Sequence, residues 1–164
     1  MLDTIIAVLI EKGLDGKAKS SESALLRDTL RERSAREVRL NLALWKLPAS
    51  KPRPHAFAAM VSSDAFDAVC TLNLPLRSIL DVNELAAEAK DLLEAGPEGE
   101  RLDTRFKQWA AGITNEVILV ERIWHRLRVL QCRQDLDGSL GNLDHLMHLH
   151  RALEMRLTSH PATQ

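Results

Sequence analysis

Three observations predict an all-α fold. Tyrosine is absent, and Leu, Ala, Glu and Arg dominate the 164 residues, a composition of good helix formers. No stretch shows a sustained alternation of apolar and polar side chains bounded by turn residues, as a half-buried strand requires. Apolar residues instead recur every three to four positions between Gly and Pro breaks. Helix pairs joined by short loops pack antiparallel. The expected architecture is therefore a single-domain, antiparallel helical bundle of five or six helices over residues 1–164.

Leu2 to Lys12 reads as a short apolar helix ended by Gly13, with Gly16 and Lys17 to Ser21 as a loop. A long second helix is expected from about Glu22, capped by Ser20 or Ser21, to about Leu47, where Pro48 stops it. Pro48, Pro52 and Pro54 make residues 48–55 a stiff connector. Ala56 to about Asn73 reads as a third helix with an interruption at Ser62 and Ser63, ended by Pro75. Asp81-Val82-Asn83-Glu84 has the spacing of a capping box and predicts the start of a fourth helix. Ala95-Gly96-Pro97 ends it. Leu102 to Arg133 stays helical in pattern, with a kink expected at Gly112. A sixth helix follows Asp137-Gly138, from Leu140 or Leu143 to Leu157, and residues 158–164 read as a frayed tail.

At 100° per residue, Ile113, Val117, Val120, Ile123, Trp124, Leu127 and Leu130 share one arc. Arg122, Arg126, Arg133 and His125 lie opposite, together with Ile118 and Val129. Two apolar residues on the polar side imply either that this fifth helix is central in the bundle or that Ile118 and Val129 touch another chain. In the second helix Leu30, Val38, Leu42 and Trp45 form a stripe beside Ser34 and Asn41. Leu26, Leu40 and Leu44 extend its apolar arc around Arg33 and Glu37. The pairs Arg33/Glu37 and Glu32/Arg36 are spaced to interact along the helix. Arg33, Glu37 and Asn41 can also form a polar ladder toward a neighbour.

In the sixth helix His150 and Glu154 sit within the apolar arc of Leu143, Leu146, Met147, Leu153 and Leu157. A buried His needs a polar partner; Glu154 or a carboxylate on another helix supplies one, and a ligand or proton-handling site would require a second polar cluster opposite, for which Arg33, Glu37 and Asn41 are candidates. His145 and His148 fall on the side away from that arc and are expected in solvent.

Basic and acidic residues number 22 and 23, a net charge of −1, so no global field draws the chain to nucleic acid or anionic lipid. The charge is nevertheless segregated. Residues 27–53 hold eight basic against three acidic side chains, residues 81–103 two against eight, and residues 105–133 six against two. An acidic helix packed beside two basic ones would neutralise them within the fold. The two cysteines, Cys70 and Cys132, form no disulfide framework, and a cytoplasmic setting is expected. Thr4 to Ile10 is the longest clean apolar run, far too short to span a bilayer.

Phosphate-binding glycine loops, the G-x-S-x-G elbow, H-E-x-x-H and C-x-x-C are all absent from the sequence. The nearest approaches to a metal-binding pattern, Glu121 with His125, Asp144 with His145 and His148, and the acidic stripe Glu84, Glu88 and Asp91, do not define a site. No catalytic residue, cofactor or metal is assigned. The expected function is a non-enzymatic interaction module, an adaptor or regulatory subunit, that forms a homo-oligomer or binds a protein partner. Candidate contact residues are Leu2, Ile5, Ile6, Leu9, Ile118, Val129, Arg122 and Arg126, and candidate polar core residues are Arg33, Glu37, Asn41, His150 and Glu154. The alternative is nucleic-acid binding through Arg31, Arg36, Arg39, Arg122, Arg126 and Arg133. A metal- or ligand-binding bundle built on His150 and Glu154 ranks third.

Overall fold

The long helix expected to start at Glu22 begins a turn and a half earlier. Lys17, Ala18 and Lys19 are good helix formers, and nothing after Gly16 breaks the backbone pattern, so the supposed loop at 17–21 is helical. The computed structural model describes residues 16–46, 59–71, 76–95, 104–132 and 140–159. These residues form six α-helices: α1 (Gly16–Trp45), α2 (Asp64–Cys70), α3 (Ala87–Ala95), α4 (Thr104–Ala110), α5 (Glu116–Cys132) and α6 (Leu140–Ser159). A single 3-10 turn lies at Leu76–Ser78. The expected N-terminal helix with Leu2, Ile5, Ile6 and Leu9, the 48–55 connector, Arg133 and the tail beyond Ser159 lie outside the described residues.

Helix directions follow from the side chains that meet. Arg31 of α1 and Arg156 of α6 both converge on Glu116, whereas Asn41 of α1 meets His150 of α6. The two helices therefore run antiparallel. Because Glu116 opens α5 and Arg156 lies near the end of α6, α5 and α6 are antiparallel too. Ser63 reaches Gln131, and Asp67 reaches Trp124, so α2 lies antiparallel on α5.

The sequence pattern left the fifth helix either central or in contact with another chain; the structure puts the last helix at the centre. α6 packs against α1, α3 and α5, and Leu143, Leu146, Leu149, Ala152 and Leu153 are all buried. Enclosure from three sides leaves α6 little solvent face, and His148, expected in water, is fully buried. His145 is half-buried. On α5, Ile118 packs against the core while Val129 remains exposed.

Two breaks sharpen the expected outlines. Residues 61–63 leave the helix between a helical residue pair at 59–60 and α2, the interruption expected at Ser62 and Ser63. The element expected as one helix from Leu102 to Arg133 is instead two, α4 and α5, separated by a turn at 111–112 and a short extended stretch. Asn115 caps α5, its Oδ1 accepting from the Ile118 amide at 3.0 Å. Residues 84 and 115 form an isolated antiparallel bridge, with the Leu85 amide donating to the Thr114 carbonyl at 2.9 Å.

That bridge also explains why no helix starts at Asp81-Val82-Asn83-Glu84. Asp81 accepts from the Asn83 amide at 2.8 Å and pairs with Arg156. The chain bends at Asn83 and stays out of helix to Ala86, and α3 begins only at Ala87. α3 packs on α6 and α4. Its Glu88, Asp91 and Glu94 are exposed and make no ion pair among the described residues, so the acidic helix does not neutralise α1 by lying alongside it.

Candidate functional site

Glu37 and Asn41 lie one turn apart on the buried side of α1. Their spacing aims both at the 61–66 segment, where the chain leaves one helix and enters α2. The Asn41 carboxamide clasps residue 62: Oδ1 accepts from the Ser62 amide at 3.0 Å and Nδ2 donates to the Ser62 carbonyl at 2.9 Å. Glu37 accepts from the Ser62 hydroxyl at 2.7 Å, the Ala65 amide at 2.9 Å and the Phe66 amide at 3.4 Å. Ala65 and Phe66 are the second and third residues of α2, whose own N-cap residue, Ser63, makes no side-chain cap. A carboxylate from another helix thus satisfies the orphan donors that open α2.

The same amide nitrogen of Asn41 faces His150 Nε2 at 3.2 Å, and His150 Nδ1 faces the Leu146 carbonyl at 2.9 Å. A carbonyl only accepts and an amide nitrogen only donates, so the proton sits on Nδ1 and the ring is neutral. Complete burial pushes the His150 pKa down to about 4, against a smaller upward pull from the Leu146 carbonyl. Trp45 and Phe66 close over the ring, with centroids at 5.4 and 5.7 Å.

Of the expected polar core group, the structure brings together Glu37, Asn41 and His150. Glu154 does not pair with His150, because both ring nitrogens are already engaged. The Arg33/Glu37 pair does not form either, because Glu37 turns inward to α2; the neighbouring Arg36–Glu32 pair does form.

A second polar group lies where α1, α5 and α6 converge. Arg31 donates to Glu116 Oε1 at 2.6 Å, Arg156 Nε lies 3.7 Å from Glu116 Oε2, and Arg156 also pairs with Asp81. Glu116 is fully buried. Burial pushes its pKa up, opposed by the charge and hydrogen bond of Arg31 and by the charge of Arg156. Reading α4 and α5 as one helix hid Glu116, since no cap was expected at Asn115 and Glu116 was not placed as the opening residue of a helix.

Further groups serve packing. Asp67 accepts from the Trp124 indole at 2.7 Å and from the Ser63 hydroxyl at 2.9 Å. Arg122 and Arg126 lie over the Trp109 ring at 5.0 and 4.3 Å, so two expected contact residues share one aromatic platform. Cys70 has its thiol pushed up to about 12 by burial and by the charges of Glu121 and Asp67, which suppresses the thiolate a nucleophile requires. A shallow depression of about 520 Å³ between α3 and α4 is lined by Asp91, Glu94, Lys107 and Ala111.

Among the described residues no group of three or more His, Cys, Asp or Glu side chains is placed to hold a metal, and no helix is long and apolar enough to cross a membrane. The fold defines an all-α helical bundle in which Glu37, Asn41 and His150 are hydrogen-bonded to their surroundings, whereas both ring nitrogens of the buried His148 have no hydrogen-bond partner among the described residues. Comparison with protein families, curated proteins and solved structures finds no match to this chain.

Proposed function

We propose that this protein is a non-enzymatic interaction module that works through an outward helix face and self-associates. One observation carries the reading: Leu25 and Leu40, both on the long helix α1, are each 66% exposed. The two lie toward opposite ends of one outward strip of α1 whose middle is charged, and such a mixed apolar and charged face matches the composition of a non-obligate interface. The inward polar residues support it from the other side. His150, Glu37 and Asn41 are all consumed in holding α1, α2 and α6 together, which leaves none of their polar atoms directed at a substrate.

The nucleic-acid alternative loses one of its expected contacts, because Arg31 is turned inward onto Glu116. Sedimentation equilibrium of the full chain, with absorbance read at two wavelengths to detect nucleic acid, tests the choice. The expected result is a discrete protein-only oligomer that dissociates on dilution. A monomer that retains nucleic acid and sheds it steeply as salt rises overturns the reading.

A further inference from the structure

The outward face of α1 is complementary to itself. Taking 100° per residue, Leu25 and Ala43 fall at the same azimuth, and Glu32 and Arg36 lie about 20° to either side of it. Asp28 and Arg39 fall together on one flank of that line, and Thr29 and Leu40 on the other. Arg36, Arg39, Leu40 and Ala43 are exposed, as is Glu32, while Asp28 and Thr29 are half-exposed. The acidic residues of this strip come first along the chain and the basic ones last. Its apolar members lie toward its two ends.

From this arrangement we infer that a second copy of the chain docks on α1, the two helices antiparallel about a twofold axis at the level of residue 34. A twofold axis requires each pair to occur twice with the roles exchanged. Leu25 then meets Ala43 of the second copy, Thr29 meets Leu40, Asp28 meets Arg39 and Glu32 meets Arg36. All the charged contacts are between opposite signs. A parallel pairing would set Glu32 against Glu32 and Arg36 against Arg36, and like charges brought face to face repel. The Arg36–Glu32 pair within each helix holds both side chains on the face where the second copy arrives. The contact strip, from residue 25 to residue 43, is about 27 Å long, the scale of a modest, reversible interface rather than an obligate one.

This inference rests on the self-association proposed above, and the test separates the two. The full-length protein and its Glu32→Arg, Arg36→Glu and Leu40→Asp variants are compared by sedimentation equilibrium, with thermal melts to show that these surface changes leave the fold intact. Each single variant is expected to weaken the dimer about tenfold or more. Glu32→Arg mixed with Arg36→Glu is expected to recover dimer as a heterodimer, since each reversed charge then faces its opposite across the axis. An effect confined within one helix cannot produce that rescue. A dimer indifferent to all three variants, or one that mixing does not restore, overturns this interface while leaving self-association standing. A chain that stays monomeric at its highest soluble concentration overturns both.

Discussion

The seam between α1 and α6 carries two polar groups about two to three turns apart, and they are built on opposite principles. Around His150 the polar contacts are hydrogen bonds of 2.7 to 3.4 Å, the ring is neutral, and Glu37 is surrounded by donors. Around Glu116 the members are ions, and one carboxylate oxygen stands 3.7 Å from its guanidinium, beyond hydrogen-bonding reach. A satisfied network fixes geometry, because each bond has one direction and one partner. An ion cluster tolerates imperfect geometry, yet depends on every charge remaining present, since removal of one leaves the others buried and uncompensated. The first group therefore sets the register of α1 against α2 and α6, and the second ties α5 and the 81–86 segment to the same seam.

The sharpest way to break that contrast is Glu116→Ala. Arg31, with only 19% of its side chain exposed, and Arg156, with 5%, then face each other with Asp81 as the one remaining acid. A loss of about 3–5 kcal/mol is expected, the range for breaking a buried pair from one side. Denaturant unfolding with an unchanged slope checks it. A loss below about 1 kcal/mol would mean that the ions repack or reach water, and the contrast drawn here would fail.

How far the sequence disclosed these two groups differs for a physical reason. His150 and Asn41 were visible because each is a polar position inside an apolar helical arc, a local anomaly that needs no knowledge of the partner. The break at Ser62 and Ser63 was equally local. The Arg31–Glu116 pair spans 85 positions, and nothing within one turn of either residue signals it. Glu37 was legible as a polar position, either paired with Arg33 or on a ladder toward a neighbour, but its capping of α2 was not, because that depends on how two helices meet rather than on either sequence. His148 was misplaced for the same kind of reason: a helical wheel shows which face is most apolar but not how many neighbours a helix has. Leu40 was assigned to an apolar arc, whereas it lies with Arg36, Arg39 and Ala43 on the exposed side of α1, away from the buried face that carries Glu37 and Asn41.

Glu37→Ala tests the hydrogen-bonded group. Two buried amides at the start of α2 and the Ser62 hydroxyl lose their acceptor together, and about 2–3 kcal/mol of destabilisation is expected. The effect has a local signature that Glu116→Ala lacks. Amide hydrogen exchange should quicken at Ala65 and Phe66 under conditions where α5 stays protected. If those two amides remain as slow as in the parent protein, water or another side chain caps α2 and Glu37 is not its anchor.

His150→Leu has the smallest effect at neutral pH and the most discriminating pH dependence. The substitution removes one contact from Asn41, which keeps both of its bonds to Ser62, so about 1 kcal/mol is lost at pH 7. In the parent protein the ring titrates near pH 4 when folded and near its ordinary 6.5 when unfolded. The unfolded chain then binds the extra proton across that interval, and stability falls as pH drops from 6.5 toward 4, by about 3 kcal/mol in all. The leucine variant escapes that share of the loss, whereas His148, whose pKa burial and the charges of Arg151 and His145 also push down to about 4, contributes equally to both proteins and cancels in their difference. Glu116 contributes with the opposite sign, since its raised pKa makes the folded state the better proton acceptor, but it does so equally in both proteins and cancels in their difference. The two stability curves should therefore cross between pH 7 and pH 4, with the variant the more stable of the two on the acid side. Curves that run parallel across the interval would show that the folded ring accepts its proton without breaking the contacts to Asn41 and the Leu146 carbonyl, and the neutral, register-setting role assigned to it would be lost.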